Sequence, residues 1–418
     1  MRTHRCLGLF AFLLALPVLA APGDYPAELP PIEQVRAAID DSPEVRAALA
    51  LGQASLAERR QLASGPHEWS TRVDYQRRRA DETSGRARFN EWEVSLERPL
   101  RLPGKAQLDR RLGDQRVAEA SVALADARHE ASKRLLTLWY QWLREHDAAE
   151  VLRSQAELGA RELAGIARRR QLGDASRLEA LQAQAAATQA EAAARLASER
   201  VRRTELVLRE QFPQVSPPAN PARPAPGLPG FDLAALAESA MQEDPGLRLA
   251  RAAALRSRLE SERADAERRA DPTVGVRYGA ERGGNERIIG VYVSIPIGGE
   301  ARRAAADANR ARADTFEHLA DARLRRMSGE IRSLRSAVES DVSRWQVAEQ
   351  AAQAQAQVAE RVAKANQLGE TGLAEVLLAR RQALEALLSA SSARVDALEN
   401  RSLLLLGAGR LWNSGPDD

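Results

Sequence analysis

The sequence has one cysteine in 418 residues, Cys6, and only 4% of its residues are aromatic. A chain so poor in sulfur is no disulfide scaffold, and downstream of Cys6 it can carry neither thiol catalysis nor a thiolate metal site. The scarcity of rings argues against a compact core and for close Ala-on-Ala helix packing. Long apolar runs are missing too: past the first helix-length of sequence, 403–406 is among the longest, so no helix spans a bilayer. A strong charge imbalance is also absent, since 61 Lys and Arg face 58 Asp and Glu for a net +3. With no dense basic patch interleaved with aromatics, a nucleic-acid partner is excluded despite the pI near 9.3. Finally, proline is absent between Pro103 and Pro213 and again between Pro296 and Pro416.

The amino terminus accounts for Cys6. Arg2, His4 and Arg5 precede an apolar stretch over 7–19, and Val18, Leu19 and Ala20 offer small residues for cleavage, so 1–20 is expected to be a signal peptide. Cys6 lies ahead of the apolar stretch, leaves with it and cannot be a lipid-anchor cysteine.

The first proline-free stretch is rich in Ala, Leu, Arg, Gln and Glu, and its one strong interruption is Gln171-Leu172-Gly173-Asp174-Ala175-Ser176. Gly after an apolar residue, followed by small polar residues, ends one helix and caps the next. The stretch therefore predicts a hairpin whose first limb, 104–172, is roughly 100 Å long, too long for an ordinary globular domain. Val117, Leu124, Ala131 and Leu138 recur every seventh residue, as in a coiled-coil seam. In the second limb Leu178, Leu181, Ala185, Thr188 and Ala192 are expected to form the packing stripe.

Before that arm, a helical region over 30–65 breaks at Ser42-Pro43, where Ser42 is placed to cap a helix with Pro43 in its first turn. The period then becomes two. Thr71, Val73 and Tyr75 alternate with Arg72, Asp74 and Gln76, and Trp92, Val94 and Leu96 alternate with Glu93, Ser95 and Glu97. These predict two strands within about 69–98, joined by an Arg-rich polar loop over 77–88.

All of this recurs. After a Pro-rich stretch over 213–230, expected to be an extended linker and not a packed element, Asp244-Pro245 answers Ser42-Pro43 and Asp271-Pro272 answers Gly65-Pro66. Val274, Val276 and Tyr278 with Ile289, Val291, Val293 and Ile295 predict a second hairpin within about 273–297. Ile331, Val338, Trp345 and Ala352 repeat the heptad, and Gln367-Leu368-Gly369-Glu370 matches Gln171-Leu172-Gly173-Asp174. The chain thus divides into a first repeat (21–212), a linker (213–230), a second repeat (231–412) and a tail (413–418). The fold class expected is mainly α with a small β part.

Four strands with one apolar face cannot close a barrel in lipid, where open edges are not tolerated and about eight strands is the minimum. The barrel is therefore expected to be shared between chains. Three copies would give 12 strands, with Arg72, Asp74, Gln76, Glu93, Ser95, Glu97, Tyr292 and Ser294 lining a wet lumen.

The duplicated order of helix, hairpin, long helix, Leu-Gly turn and helix, with Ser95-Leu96-Glu97-Arg98-Pro99-Leu100-Arg101-Leu102-Pro103-Gly104-Lys105 and Val293-Ser294-Ile295-Pro296-Ile297-Gly298-Gly299, resembles the TolC family of outer-membrane efflux proteins. The Pro-Leu-x-x-x-Gly-Lys run is similar to the cation-efflux (CzcC-like) branch, although Ala106 stands where a basic residue is usual. The resemblance implies a homotrimer with an outer-membrane β-barrel and a periplasmic α-barrel. It implies docking to a periplasmic adaptor (membrane fusion) protein and an inner-membrane, proton-driven RND-type pump, and transport instead of catalysis, with no cofactor. It further implies that Glu179 and Glu375 ring the periplasmic entrance, and that Leu172, Gly173, Asp174, Leu368, Gly369 and Glu370 form the adaptor-docking tip. Gln182 and Leu378 stand at a second position that is acidic in some members.

Other chemistry fails on spacing. Gly104-Lys105 lacks the upstream Gly of a phosphate loop, and His67, His129, His146 and His318 show no metal-ligand spacing. Two further classes share the sequence pattern: a duct for type I protein secretion or drug efflux, and a periplasmic coiled-coil adaptor or scaffold. The second has no use for amphipathic strands.

Overall fold

A computed structural model describes residues 25–412, apart from Ser84 and Phe231. The expected signal peptide and the 413–418 tail lie outside the described residues. In chain order the elements are α1 (Ile32–Asp40), α2 (Pro43–Ser64), β1 (Ser70–Glu82), β2 (Gly85–Pro99), α3 (Lys105–Gln171), α4 (Arg177–Gln211), α5 (Leu233–Glu243), α6 (Pro245–Ala266), β3 (Thr273–Glu281), β4 (Glu286–Ser294), α7 (Glu300–Gln367) and α8 (Leu373–Gly407). The long arms α3 and α7 have 67 and 68 residues, and the return helices α4 and α8 have 35 each. Nearly equal arm lengths let both hairpins end at the same level.

The two turns are built alike. Gly173 and Gly369 sit at φ +87° and +82°, where a side chain would be strained. The Asp174 N–H donates to the Arg169 carbonyl (2.9 Å) and the Gly173 N–H to Arg170 (3.1 Å). Glu370 repeats the first bond to Ala365 (2.9 Å) and Gly369 the second to Asn366 (3.0 Å). Both turns are therefore Schellman caps, which satisfy carbonyls that a helix end leaves open.

Lengthwise, α3 packs against α2, α4, α6 and α8, while α7 packs against α6 and α8 along its length and α5 near its middle. The burial of α7 follows from this: Ala306, Ala313, Ala320 and Met327 are buried at intervals of seven, and Val338, Ala352 and Ala359 resume the interval after a shift of eleven. That shift is a four-residue stutter, which locally unwinds a coiled coil. On α4 the expected stripe is wrong. Leu178, Leu181, Ala185, Thr188 and Ala192 are exposed, and the face toward α3 carries buried Ala183 and Ala197 with half-buried Ala187, Ala190 and Ala194 between them. Gly159 of α3 explains the choice: a Cβ there would lie 3.5 Å from the Ala187 Cα, so the two backbones approach too closely for leucine.

The main core gathers around the middle of α3, where Trp139, Tyr140, Trp142 and Leu143 meet Val35 and Ile39 of α1, Leu208 of α4, Leu236 of α5 and Val395, Leu398 and Leu404 of α8. Trp139 Nε1 donates to the Glu28 carbonyl (2.8 Å), and the Tyr140 hydroxyl lies 2.9 Å from Ser402 Oγ. These bonds let buried aromatics keep their polar atoms satisfied. Among the described residues the buried aromatics, Trp139, Tyr140, Trp142, Phe212 and Trp412, all belong to this core, where both repeats meet.

The Pro-rich stretch forms no helix or strand and, against the expectation of an unpacked linker, is packed against the body. Val215 joins the main core, and Pro221, Pro226 and Pro229 are buried. Proline suits a strap because it needs no backbone donor satisfied. At Ser42 the cap position is right, but the hydroxyl makes no capping bond; in the second repeat Asp244 does, accepting from the Leu247 N–H at 2.6 Å.

Candidate functional site

The four strands form one antiparallel sheet in the order β1-β2-β3-β4, leaving β1 and β4 as open edges. Ladder pairs Val73↔Val94, Val94↔Tyr278 and Tyr278↔Ile289 put the apolar residues of all four strands on one face. Little covers that face: Val73, Ile289, Val291 and Val293 are 62–85% exposed. Tyr75, Trp92 and Tyr278 border it toward the hairpin turns, with Trp92 and Tyr278 in edge-on contact at 5.6 Å. Toward the helices Trp69 borders it, with the Arg98 guanidinium 5.5 Å from its ring. An apolar band between aromatic girdles is the surface of a lipid-facing strand.

The opposite face is polar, and the expected lumen residues meet on it. Asp74 pairs with Glu93, and Arg72 with Ser95, across the β1–β2 ladder. The Tyr292 hydroxyl donates to Glu97 Oε2 (2.6 Å), and Arg277 reaches Glu93 (3.6 Å). Ser294 lies on this face, at the end of β4. Glycine has a part here that the sequence pattern did not suggest. A Cβ on Gly275 would fall 2.4 Å from the Tyr292 ring, and one on Gly290 would lie 3.2 Å from Arg277 Nε, so these glycines let long polar side chains lie flat across the sheet. The available signal was glycine on the polar side of the alternation, Gly275 and Gly279 flanking Arg277 in one strand and Gly290 beside Tyr292 in the next.

The Arg-rich loop expected over 77–88 is mostly strand: β1 runs to Glu82 and β2 starts at Gly85. Ladder bonds need only backbone, so the hairpin continues after its apolar face has ended. The second hairpin stops sooner: β4 ends at Ser294, short of the expected 297.

Sheet and helices are joined by an ionic knot around Lys105, which is 2% exposed. Its ammonium donates to the Arg269 carbonyl (2.6 Å), Asp271 (3.0 Å) and Glu267 (3.2 Å), using all three donors. Asp271 also accepts from the Leu102 N–H (2.9 Å) and contacts His67 Nε2 at 3.2 Å. Burial alone would raise the Asp271 carboxyl, but these donors outweigh it and hold it below the usual range. The Gly-Lys run thus ties the first repeat to the second and has a structural explanation.

At the helical tip, Leu172 and Leu368 are 73% and 68% exposed, beside the two Schellman glycines with Asp174 and Glu370 following. Glu179 and Glu375 hold the same place in their helices, three residues after the caps Ser176 and Gly372. Their surroundings differ. The Glu179 N–H donates to Ser176 Oγ (3.1 Å) and the Ser176 N–H to Glu179 Oε2 (2.7 Å), a capping box. The Ser176 backbone bond, then its hydroxyl, lowers the Glu179 pKa. The Ser-x-x-Glu spacing that signals this box is legible in the sequence. Gly372 offers no side chain, and Glu375 is exposed. Beside the tips, Ile166 and Ala183 of the first hairpin pack with Leu373 of the second, and Arg380 of α8 pairs with Glu162 of α3.

Two of the histidines that looked scattered do join acidic groups. His67 meets Asp271 in the Lys105 knot, and His146, Asp147 and Glu150 converge with ligand atoms within 4.8 Å. In the second cluster the carboxylates are already bound: Arg223 of the strap donates to Asp147 (2.8 Å) and pairs with Glu150, and Arg394 of α8 pairs with Asp147. Burial opposes ionisation of Asp147, but these partners prevail and lower its pKa. The cluster is an ion-pair hub that fixes the strap to α3 and α8.

No family model and no curated protein matches the sequence. Solved structures do match the fold. Over 92% of this chain and 86% of its own, the CmeC outer membrane channel of Campylobacter jejuni superposes with a TM-score of 0.74 at 14% identity. The outer membrane protein VceC of Vibrio cholerae gives 0.70 at 17% identity, covering 92% and 96%. The open state of the Neisseria gonorrhoeae MtrE outer membrane channel gives 0.62 at 15%, covering 92% and 90%. The fold is therefore the one these channels share, a four-stranded sheet on long paired helices.

Proposed function

We propose that the chain is the outer-membrane channel component of a tripartite efflux system. The observation that carries this is the sheet, apolar on one face, charged on the other and open at both edges. Three copies would join β1 to β4 into a shared 12-stranded barrel and line its lumen with Asp74, Glu93, Glu97, Tyr292 and Ser294. The helices would continue the duct through the periplasm. Exposed Leu178, Leu181 and Leu196 on α4, with Leu319, Val347 and Val358 on α7, support the same assembly by offering apolar edges for neighbouring copies. The part is that of a conduit, not an enzyme.

In this assembly Leu172, Gly173, Asp174, Leu368, Gly369 and Glu370 dock the periplasmic adaptor, and an RND-type inner-membrane pump supplies the substrate. Heavy-metal cations are the class suggested by the Gly-Lys run, and cargo choice is assigned to the pump, since the Lys105 ammonium is already taken up by the knot. Glu179 and Glu375 form the entrance ring, where clustered carboxylates attract cations.

The test is size in detergent followed by single-channel current. A trimer with ohmic conductance, blocked from the helical side by a trivalent cation, is the expected result, and Glu179→Gln with Glu375→Gln should remove the block. A monomeric or detergent-free soluble chain refutes the channel, and unchanged block in the double variant refutes the ring alone.

A further inference from the structure

The first hairpin reaches beyond the second. β3 ends its pairing with β2 at Trp92, while β1 and β2 stay paired from Gln76↔Glu91 to Glu82↔Gly85. On the apolar side of this extension, the rows past Tyr75 and Trp92 hold Arg77 opposite Asn90 and Arg79 opposite Arg88. All three arginines are exposed. Arg77 donates from Nε to the neutral Asn90 Oδ1 (3.3 Å), and among the described residues Arg79 and Arg88 have no acidic partner. The one carboxylate nearby on this side, Asp81, is bound by Arg86 at 3.3 Å. On the polar side the same hairpin behaves differently: Arg78 pairs with Glu91 at 2.8 Å.

Two guanidiniums directly opposite on a ladder, about 5 Å apart at Cβ, repel one another unless an anion lies between them. Their planar forks suit phosphate oxygens, which they can bind bidentately. Position then selects the source of the phosphate. Arg77 lies two ladder rows beyond the aromatic girdle and the opposed pair four, on the lipid-facing side, at the height where headgroups begin.

We propose that Arg77, Arg79 and Arg88 form a binding surface for the phosphate groups of membrane lipids in the leaflet around the hairpin turns. This rests on the outer-membrane reading above. The opposed pair belongs to the first repeat; the second places one arginine, Arg287, on this side in the row of Trp92 and Ala280, so a trimer presents three separate lipid clamps, not a continuous ring.

The experiment uses the full-length trimer, purified in detergent and then placed in phosphatidylcholine vesicles with or without diphosphoryl lipid A. Lipid binding is counted by native mass spectrometry of the detergent-purified trimer, and insertion is followed separately by vesicle flotation. Wild type should retain diphosphoryl lipid A, while the dephosphorylated lipid and millimolar inorganic phosphate should bind far more weakly. Changing all three arginines to Gln should weaken retention by roughly a hundredfold, at about fivefold per arginine near an anionic surface, with flotation unchanged. Arg78→Gln, on the polar face, should leave retention as in wild type. Equal retention by the triple variant, or no preference for the phosphorylated lipid, overturns the clamp and leaves the channel standing. Competition by free phosphate at lipid-like concentration assigns the site to a soluble anion and also overturns it. A trimer that fails to float refutes the membrane reading itself.

Discussion

The two long arms, α3 and α7, are nearly equal in length and alike in heptad pattern, but they do different work. α3 has helical neighbours on several sides and carries three of the buried aromatics; α7 buries a stripe that is mostly alanine, with Met327 and Val338, and much of the rest of it is exposed. Duplication supplied two copies of one hairpin, and position in the bundle made one central and the other an edge. The tips show the same divergence: one backbone turn, twice, with a capping box on the first and a bare glycine on the second.

The largest effect is expected at the central arm. Trp139→Ala should cost about 3–5 kcal/mol, whereas Val338→Ala on the α7 stripe should cost about 1–2 kcal/mol, scaled to fewer buried carbons. Thermal unfolding followed by helical circular dichroism would compare them, and equal shifts would erase the distinction between centre and edge.

The two faces of the sheet come next. In the proposed channel Leu96→Arg or Val293→Arg would place a charge on the lipid side at about 2–4 kcal/mol, while Glu97→Arg or Ser294→Arg would face water. Trimer yield in outer-membrane fractions should fall for the first pair only. Similar yields for all four would mean that the ladder register assigns the faces wrongly.

A smaller effect should separate the Schellman glycines from ordinary ones. Gly173→Ala and Gly369→Ala should each cost about 1–2 kcal/mol, because a side chain at positive φ is strained, and Gly165→Ala inside α3 should be neutral or stabilising, since nothing lies near its Cβ. Limited proteolysis at the tips would report it.

The smallest effect concerns the caps. Ser176→Ala should weaken the first tip by about 1 kcal/mol, and Gly372→Ser should strengthen the second by completing Ser-x-x-Glu before Glu375. The first tip should also respond to acid. Glu179 has a lowered pKa when folded, so its contribution is complete above the ordinary glutamate range and disappears as pH falls through the lowered value. Hydrogen exchange at the Ser176 amide should accelerate in that window for wild type, with no comparable change at Gly372. Parallel acid responses would remove the asymmetry between the tips.

Much of this was legible without coordinates. Proline-free stretches, Leu-Gly turns and alternating residues fix periods and stops, which are local properties of the chain, and they determine the duplicated hairpins, the strands and the side of each strand that is charged. What a local pattern cannot rank is which of two apolar stripes meets a neighbour. On α4 the leucines looked like the packing face, but the close approach of Gly159 to Ala187 turned the alanines inward and left the leucines outside. The Pro-rich strap lacks any period, so its seat on Asp147 through Arg223 depends on residues far apart in sequence. The Lys105 knot joins positions more than 160 residues apart, and the arginine rows take their side from ladder register. Those features required the fold, because each depends on which distant backbone comes near.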